Sequence, residues 1–142
     1  MTVAVVGSRK VRDEKPVREV LDTLPEGTEI VSGGQPKGVD GIVDELVRHK
    51  APYKDDFTYT VFPPKHYEPA ERGWDQDMLG EDVKEYGKEY DKKHYRSRNL
   101  EICLVADKMV AIKKSGAENR GTGIAVRMFE EVNGEEPLVT WT

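Results

Sequence analysis

The sequence is short of the residues that staple a fold or bind metal. Of its 142 residues, one is cysteine and three are histidine. A lone thiol cannot close an internal disulfide, and Cys103 sits in an apolar run, which predicts a buried, inert side chain. His49, His66 and His94 are scattered, with no Cys/His or HExxH spacing, so no metal site is expected. A basic excess is also missing. The chain has 22 Lys and Arg against 27 Asp and Glu, a formal net charge of −5, whereas a broad nucleic-acid surface calls for clustered positive charge. No apolar run approaches the roughly 20 residues of a membrane-spanning helix. The apolar part of "MTVAVVGSRK" is too short for a signal peptide. These absences predict a cytoplasmic protein with no membrane partner. Three motifs are absent as well. Without GxGxxG after the first apolar run, dinucleotide binding of that type is disfavoured; without GK[ST] there is no P-loop; without GxSxG there is no serine nucleophile elbow.

What remains is ordinary globular material. Hydrophobic residues make up 37% and charged residues 35%, enough for a real core in one domain, whereas two domains would be cramped. "TVAVVG" is a β-branched run that reads as a strand buried on both faces. "RDEKPVREVLDTLPEG" spaces Val17, Val20, Leu21 and Leu24 as one helical face, with Asp13 placed to cap it. A second strand is expected over 28–32. A helix carrying Val39, Ile42, Val43, Leu46 and Val47 follows, then a third strand in "FTYTVFPP". The region 65–93 is dominated by Asp, Glu, Lys, Gly and Tyr and reads as a charged, mostly solvated insertion of loop and short helix, the most mobile part of the chain. Beyond it come a helix with Leu100, Ile102, Cys103 and Val105 toward a core, a strand over 108–112, a helix with Ile124, Val126, Met128, Phe129 and Val132, and a last strand in "EPLVTWT". Strands that alternate with helices predict a three-layer, Rossmann-like α/β domain with a mainly parallel five-stranded sheet.

In an open parallel sheet, ligands bind outside the carboxyl ends of the strands. The glycine-rich stretches fall at those ends: Gly7-Ser8-Arg9 after the first strand, Ser32-Gly33-Gly34 running on to Asp40 after the second, and Gly121-Thr122-Gly123 opening a helix after the fourth. Each offers backbone N–H groups near a helix start, where phosphate is favoured. A single glycine loop can serve only to turn the chain; the joint placement of three points to one shared crevice. Arg98 and Asn99 lie in a locally basic helix start, "KKHYRSRN". Positive charge there opposes the helix dipole unless it faces an anion. Carboxylates near the crevice are Asp40, Glu101 and Glu118. Tyr67, Tyr86, Tyr90, Tyr95 and Trp74 either pack region 65–93 onto the body or stack on a base.

In this order, "VVGSR", "VSGGQPKGVD", "FPP", "RSRN", "MVAI" and "RGTGIAVR" resemble the SLOG superfamily, which includes the LOG enzymes and the DprA/Smf proteins, and most closely its small stand-alone members. The resemblance covers most of the chain, taken as one nucleotide-binding domain over 1–142, and breaks at 65–93. It implies a nucleotide or nucleotide-derived ligand held by Gly7, Ser8, Arg9, Gly33, Gly34, Asp40, Arg98, Asn99, Gly121 and Thr122, without a further cofactor, and a homodimer. LOG enzymes cleave the N-glycosidic bond of a nucleoside monophosphate with a "PGGxGTxxE" motif. Here Thr122 fits, but Ala125 stands where the glutamate would be, so binding or sensing is the first expectation. Phosphoribohydrolase-like cleavage assisted by Glu101 or Glu118 is the alternative, and DprA-like single-stranded DNA binding through the basic patch at 92–98 is a further one.

Overall fold

The computed structural model describes residues 1–80 and 83–142. Five strands form one sheet: β1 (Thr2–Gly7), β2 (Glu29–Ser32), β3 (Thr58–Val61), β4 (Lys108–Lys113) and β5 (Leu138–Trp141). Their order is β3-β2-β1-β4-β5 and every pairing is parallel. The chain therefore builds outward from β1 to β3, returns across the sheet, and continues through β4 to β5. The strand order reverses between β1 and β4, where this class of fold opens a crevice.

Side-chain alternation along β1 explains the three layers. Val3 and Val5 enter one core, Ala4 and Val6 the other, so β1 must be apolar from Val3 to Val6. The first core is closed by α1 (Lys15–Asp22) and α2 (Gly38–His49), which bury Val17, Val20 and Leu21, and Val39, Val43, Leu46 and Val47. Asp13 accepts a hydrogen bond from the Lys15 amide at 2.9 Å, but Glu14 and not Asp13 takes the N-cap position of α1, without a side-chain cap. After the single turn α3 (Tyr53–Asp56), α4 (Lys93–Val105) and α5 (Arg120–Asn133) close the second core around Ile102, Cys103, Ala125, Val126 and Phe129. Burial pushes the Cys103 thiol up to about 11, which keeps it protonated and unreactive.

Two expectations are corrected. In α4, Leu100 and Val105 are exposed, while Arg98, Ile102 and Cys103 are buried. At 100° per residue the inward face runs through 98, 102 and 103, and Leu100 falls on the opposite side. In α5 the inward face holds Thr122, Ala125, Val126 and Phe129, which leaves Ile124 and Val132 exposed.

Segment 65–93 is exposed at most of its described positions, as its composition suggests, and a few buried residues anchor it; Glu81 and Asp82 lie outside the described residues. Trp74, Leu79 and Tyr86 converge on Val61 in a third small core, and short 3-10 turns, Pro69–Arg72 among them, supply the bends. Asp44 on α2 is the anchor. It accepts the Trp74 indole N–H at 2.9 Å, the Tyr59 hydroxyl at 2.9 Å and Arg48 Nη1 at 2.9 Å. Arg48 in turn donates to the carbonyls of Arg72 and Gly73. These apolar residues follow neither a 3.6 nor a 2 period, so a pattern search misses a core that they form only in three dimensions.

Candidate functional site

A cleft of about 930 Å³ opens at the carboxyl ends of the strands, over the β1/β4 reversal. That volume is at the upper end for a small-molecule site. The β1 end contributes Gly7, Ser8 and Arg9, the β2 end Gly33, the first turn of α2 Asp40, the start of α4 Arg98 and Asn99, and the β4–α5 junction Glu118, Gly121 and Thr122. Ten of the fourteen residues expected at a site thus share one cavity. The other four do not line it. Ser32 is buried, its hydroxyl 3.0 Å from that of Tyr59. Gly34 turns away toward Trp74, with φ of 73°, and its carbonyl accepts Arg72 Nη1. Gly123 lies a turn into α5, its amide bonded to the Asn119 carbonyl. Glu101 projects from α4 outside the cleft wall.

The cleft is cationic although the chain is acidic. Arg9, Arg98 and Arg120 are joined by Lys10, Lys92, Arg96 and Lys114, while Asp40 and Glu118 are its carboxylates. Lys10 and Lys114 are lining residues that the sequence reading did not select, whereas Lys92, Tyr95 and Arg96 come from the basic stretch at 92–98.

Arg98 is built into the floor. Its guanidinium is buried and donates to the carbonyls of Gly33 and Phe62 and, through Nε, to Asn99 Oδ1 at 2.8 Å. These bonds tie the start of α4 to the ends of β2 and β3. Nη2 makes no hydrogen bond to the described residues, and Arg98 lines the cleft. Burial pulls the Arg98 guanidinium below its ordinary value, opposed by the charge of Asp40. Gly33 is required here by packing, since a Cβ at this position would overlap Arg98 Nη1. Asp40 accepts the Gln35 amide through Oδ2 at 3.2 Å. Burial raises its pKa above the ordinary carboxylate value, and Arg98 works against that rise.

The α5 end of the cleft is an uncapped helix start. Asn119 takes the N-cap position in the left-handed region, φ 51°. Its side chain is spent on the preceding loop: Oδ1 accepts the Lys114 amide at 2.8 Å, and Nδ2 donates to the carbonyls of Lys114 and Ala117. The first amide of the helix to find an acceptor is Gly123, bonded to Asn119. The amides of Gly121 and Thr122 have none, as expected for the first turn of an uncapped helix. Thr122 itself is 6% exposed and lines the cleft, and its hydroxyl makes no hydrogen bond to the described residues.

At the opposite rim, Tyr95 has the guanidiniums of Arg9 and Arg98 over its ring at 5.8 and 5.7 Å. Behind it, His66 is surrounded by Tyr67, Tyr90 and Tyr95. The Nδ1 atoms of His66 and His94 lie 3.1 Å apart, so one ring donates and the other accepts. Burial, then the neighbouring His94 and Arg98, lowers the pKa of His66.

Among the described residues, no group of three or more His, Cys, Asp or Glu is placed to hold a metal, and no helix is long and apolar enough to cross a membrane. No protein-family model, curated protein or solved structure matches the chain.

Proposed function

We propose that this chain binds a nucleotide or nucleotide-derived anion in the cleft at the carboxyl end of the sheet. The observation that carries the reading is the α5 start. An uncapped helix N-terminus, a buried hydroxyl with no hydrogen bond to the described residues and a ring of arginines and lysines meet in one cavity of a chain whose net charge is −5. Free amides at a helix start, added to local positive charge, favour phosphate. In the proposed pose the phosphate sits on Gly121 and Thr122, Arg9 and the Nη2 of Arg98 supply counter-charge, and the base lies toward the Tyr95 rim.

Cleavage of the ligand's N-glycosidic bond is a second reading, and one observation favours it. Asp40 presents a buried carboxyl to the cleft with one oxygen not bonded to protein. Glu101 lies outside the cleft wall, and the side chain at 125 is an alanine methyl, so Asp40 and Glu118 are the carboxyls that could act on a bound sugar. A thermal-shift panel of nucleoside mono-, di- and triphosphates tests the binding reading. Binding to the native state raises the melting temperature in proportion to RT ln(1 + [L]/Kd). Release of free base from any stabilising nucleotide tests cleavage. A panel that shifts nothing at low salt overturns both.

A further inference from the structure

Behind the cleft, a guanidinium from segment 65–93 grips the same peptide group that holds Asp40. Past the end of β2 the chain runs through Gly33, Gly34 and Gln35 toward α2. The Gln35 amide donates to Asp40 Oδ2 at 3.2 Å. The Gly34 carbonyl accepts Arg72 Nη1 at 3.0 Å. That amide and that carbonyl belong to one peptide group. It is trans, so it is planar and its two polar ends point in opposite directions. Fixing the carbonyl from behind fixes the direction in which the amide meets Asp40. A charged donor on the carbonyl also polarises the amide, which strengthens its bond to the carboxyl.

The loop needs such a hold. Two adjacent glycines leave it conformationally free, and Gly34 sits in the left-handed region at φ 73°. Arg72 is itself held: its guanidinium lies over the Trp74 ring, 4.7 Å from the centroid, and the Trp74 indole is anchored on Asp44. Arg72 and Trp74 do not line the cleft, whereas Asp40 and Gly33 do. Gly33, next to the gripped peptide, carries the same order to Arg98, whose Nη1 its carbonyl accepts.

We propose that Arg72 is a positioning residue for Asp40, acting through the 34–35 peptide group. Segment 65–93 thereby shapes a cleft that Arg72 does not reach. The consequence for a ligand rests on the reading of the cleft as a nucleotide site, in which the buried Asp40 carboxyl faces the bound sugar; the effect on Asp40 itself does not.

Titration of the Asp40 Cγ resonance by NMR, without ligand, tests it in wild type, Arg72→Met and Arg72→Gln. Met keeps an apolar stem against Trp74, and Gln is polar but shorter. High salt screens the charge that both variants remove. Arg98, Arg9 and Asp44, the other charges acting on Asp40, are unchanged. A weaker Gln35 bond stabilises the carboxylate less, so the proton affinity of Asp40 is expected to rise about threefold or more in both variants. A merely structural Arg72 would lower the melting temperature and leave that titration where it is. AMP is the probe for the cleft, by calorimetry, and is expected to bind either variant about fivefold or more weakly than wild type because the carboxyl is no longer preorganised. An Asp40 titration that neither variant moves overturns the proposal, and so does equal, measurable AMP affinity in all three proteins. A wild type that binds no AMP counts against the reading of the cleft, and the titration alone then decides the role of Arg72.

Discussion

Thr122 separates ligand binding from stability at a single atom. Its hydroxyl makes no hydrogen bond to the described residues, so Thr122→Val, which keeps the shape, should leave the urea midpoint unchanged. If the hydroxyl donates to a phosphate, the loss is that of a charge-assisted hydrogen bond, about 1.5–3 kcal/mol, or roughly ten- to a hundredfold in Kd by titration calorimetry. His66 gives a pH prediction. Its pKa in the folded protein is lowered from 6.5, so between the two values the unfolded chain binds more protons than the folded one. The stability that neutral His66 permits is present above pH 6.5 and is lost as pH falls through its folded value. His66→Phe, which keeps the ring among the tyrosines, should flatten the dependence of the melting temperature on pH between about 7 and 5. Thr122 was legible in the sequence because it follows a glycine at a predicted helix start. The His66–His94 contact was not, since 28 residues separate the pair and no local pattern links them.

At the scale of elements, the sheet and its helices were readable because their signals are periodic. β1 is apolar from Val3 to Val6, and α1, α2 and α5 each carry residues at i, i+3 and i+4. The face of α4 was read less well. Its sequence places apolar residues almost all round its second half, so spacing could not show which of them the sheet would cover; the buried Arg98 marks the inward side. The small core of segment 65–93 was not legible for a related reason. Its core residues are brought together by one buried carboxylate, and periodicity says nothing about that. Asp44→Ala should therefore cost about 3 kcal/mol or more in urea unfolding, because Arg48, Trp74 and Tyr59 all lose their shared acceptor. Limited proteolysis of that variant should cut first within 65–93. If Asp44→Ala is within about 0.5 kcal/mol of wild type, the anchor described here is incorrect.

At the scale of the whole molecule, charge and topology point to the same place. The strand order reverses between β1 and β4, the cleft lies above that reversal, and cationic side chains gather there in a chain of net charge −5. The lining loops come from positions as far apart as Gly7 and Thr122, yet their common address was legible because parallel strands deliver every βα loop to one edge. The identity of the ligand is not written in those loops, since backbone amides and guanidiniums recognise phosphate whatever is attached to it. The most direct measurement is titration calorimetry of the nucleotide that stabilises the protein most, against wild type, Arg9→Ala and Thr122→Val. The Arg9 side chain is exposed and makes no hydrogen bond to the described residues; the bond that its carbonyl accepts from Arg12 Nη1 is kept in Arg9→Ala, so the variant leaves the fold intact. The account predicts saturable, salt-sensitive binding to wild type that both variants weaken by about tenfold or more; equal affinity for all three proteins would contradict it.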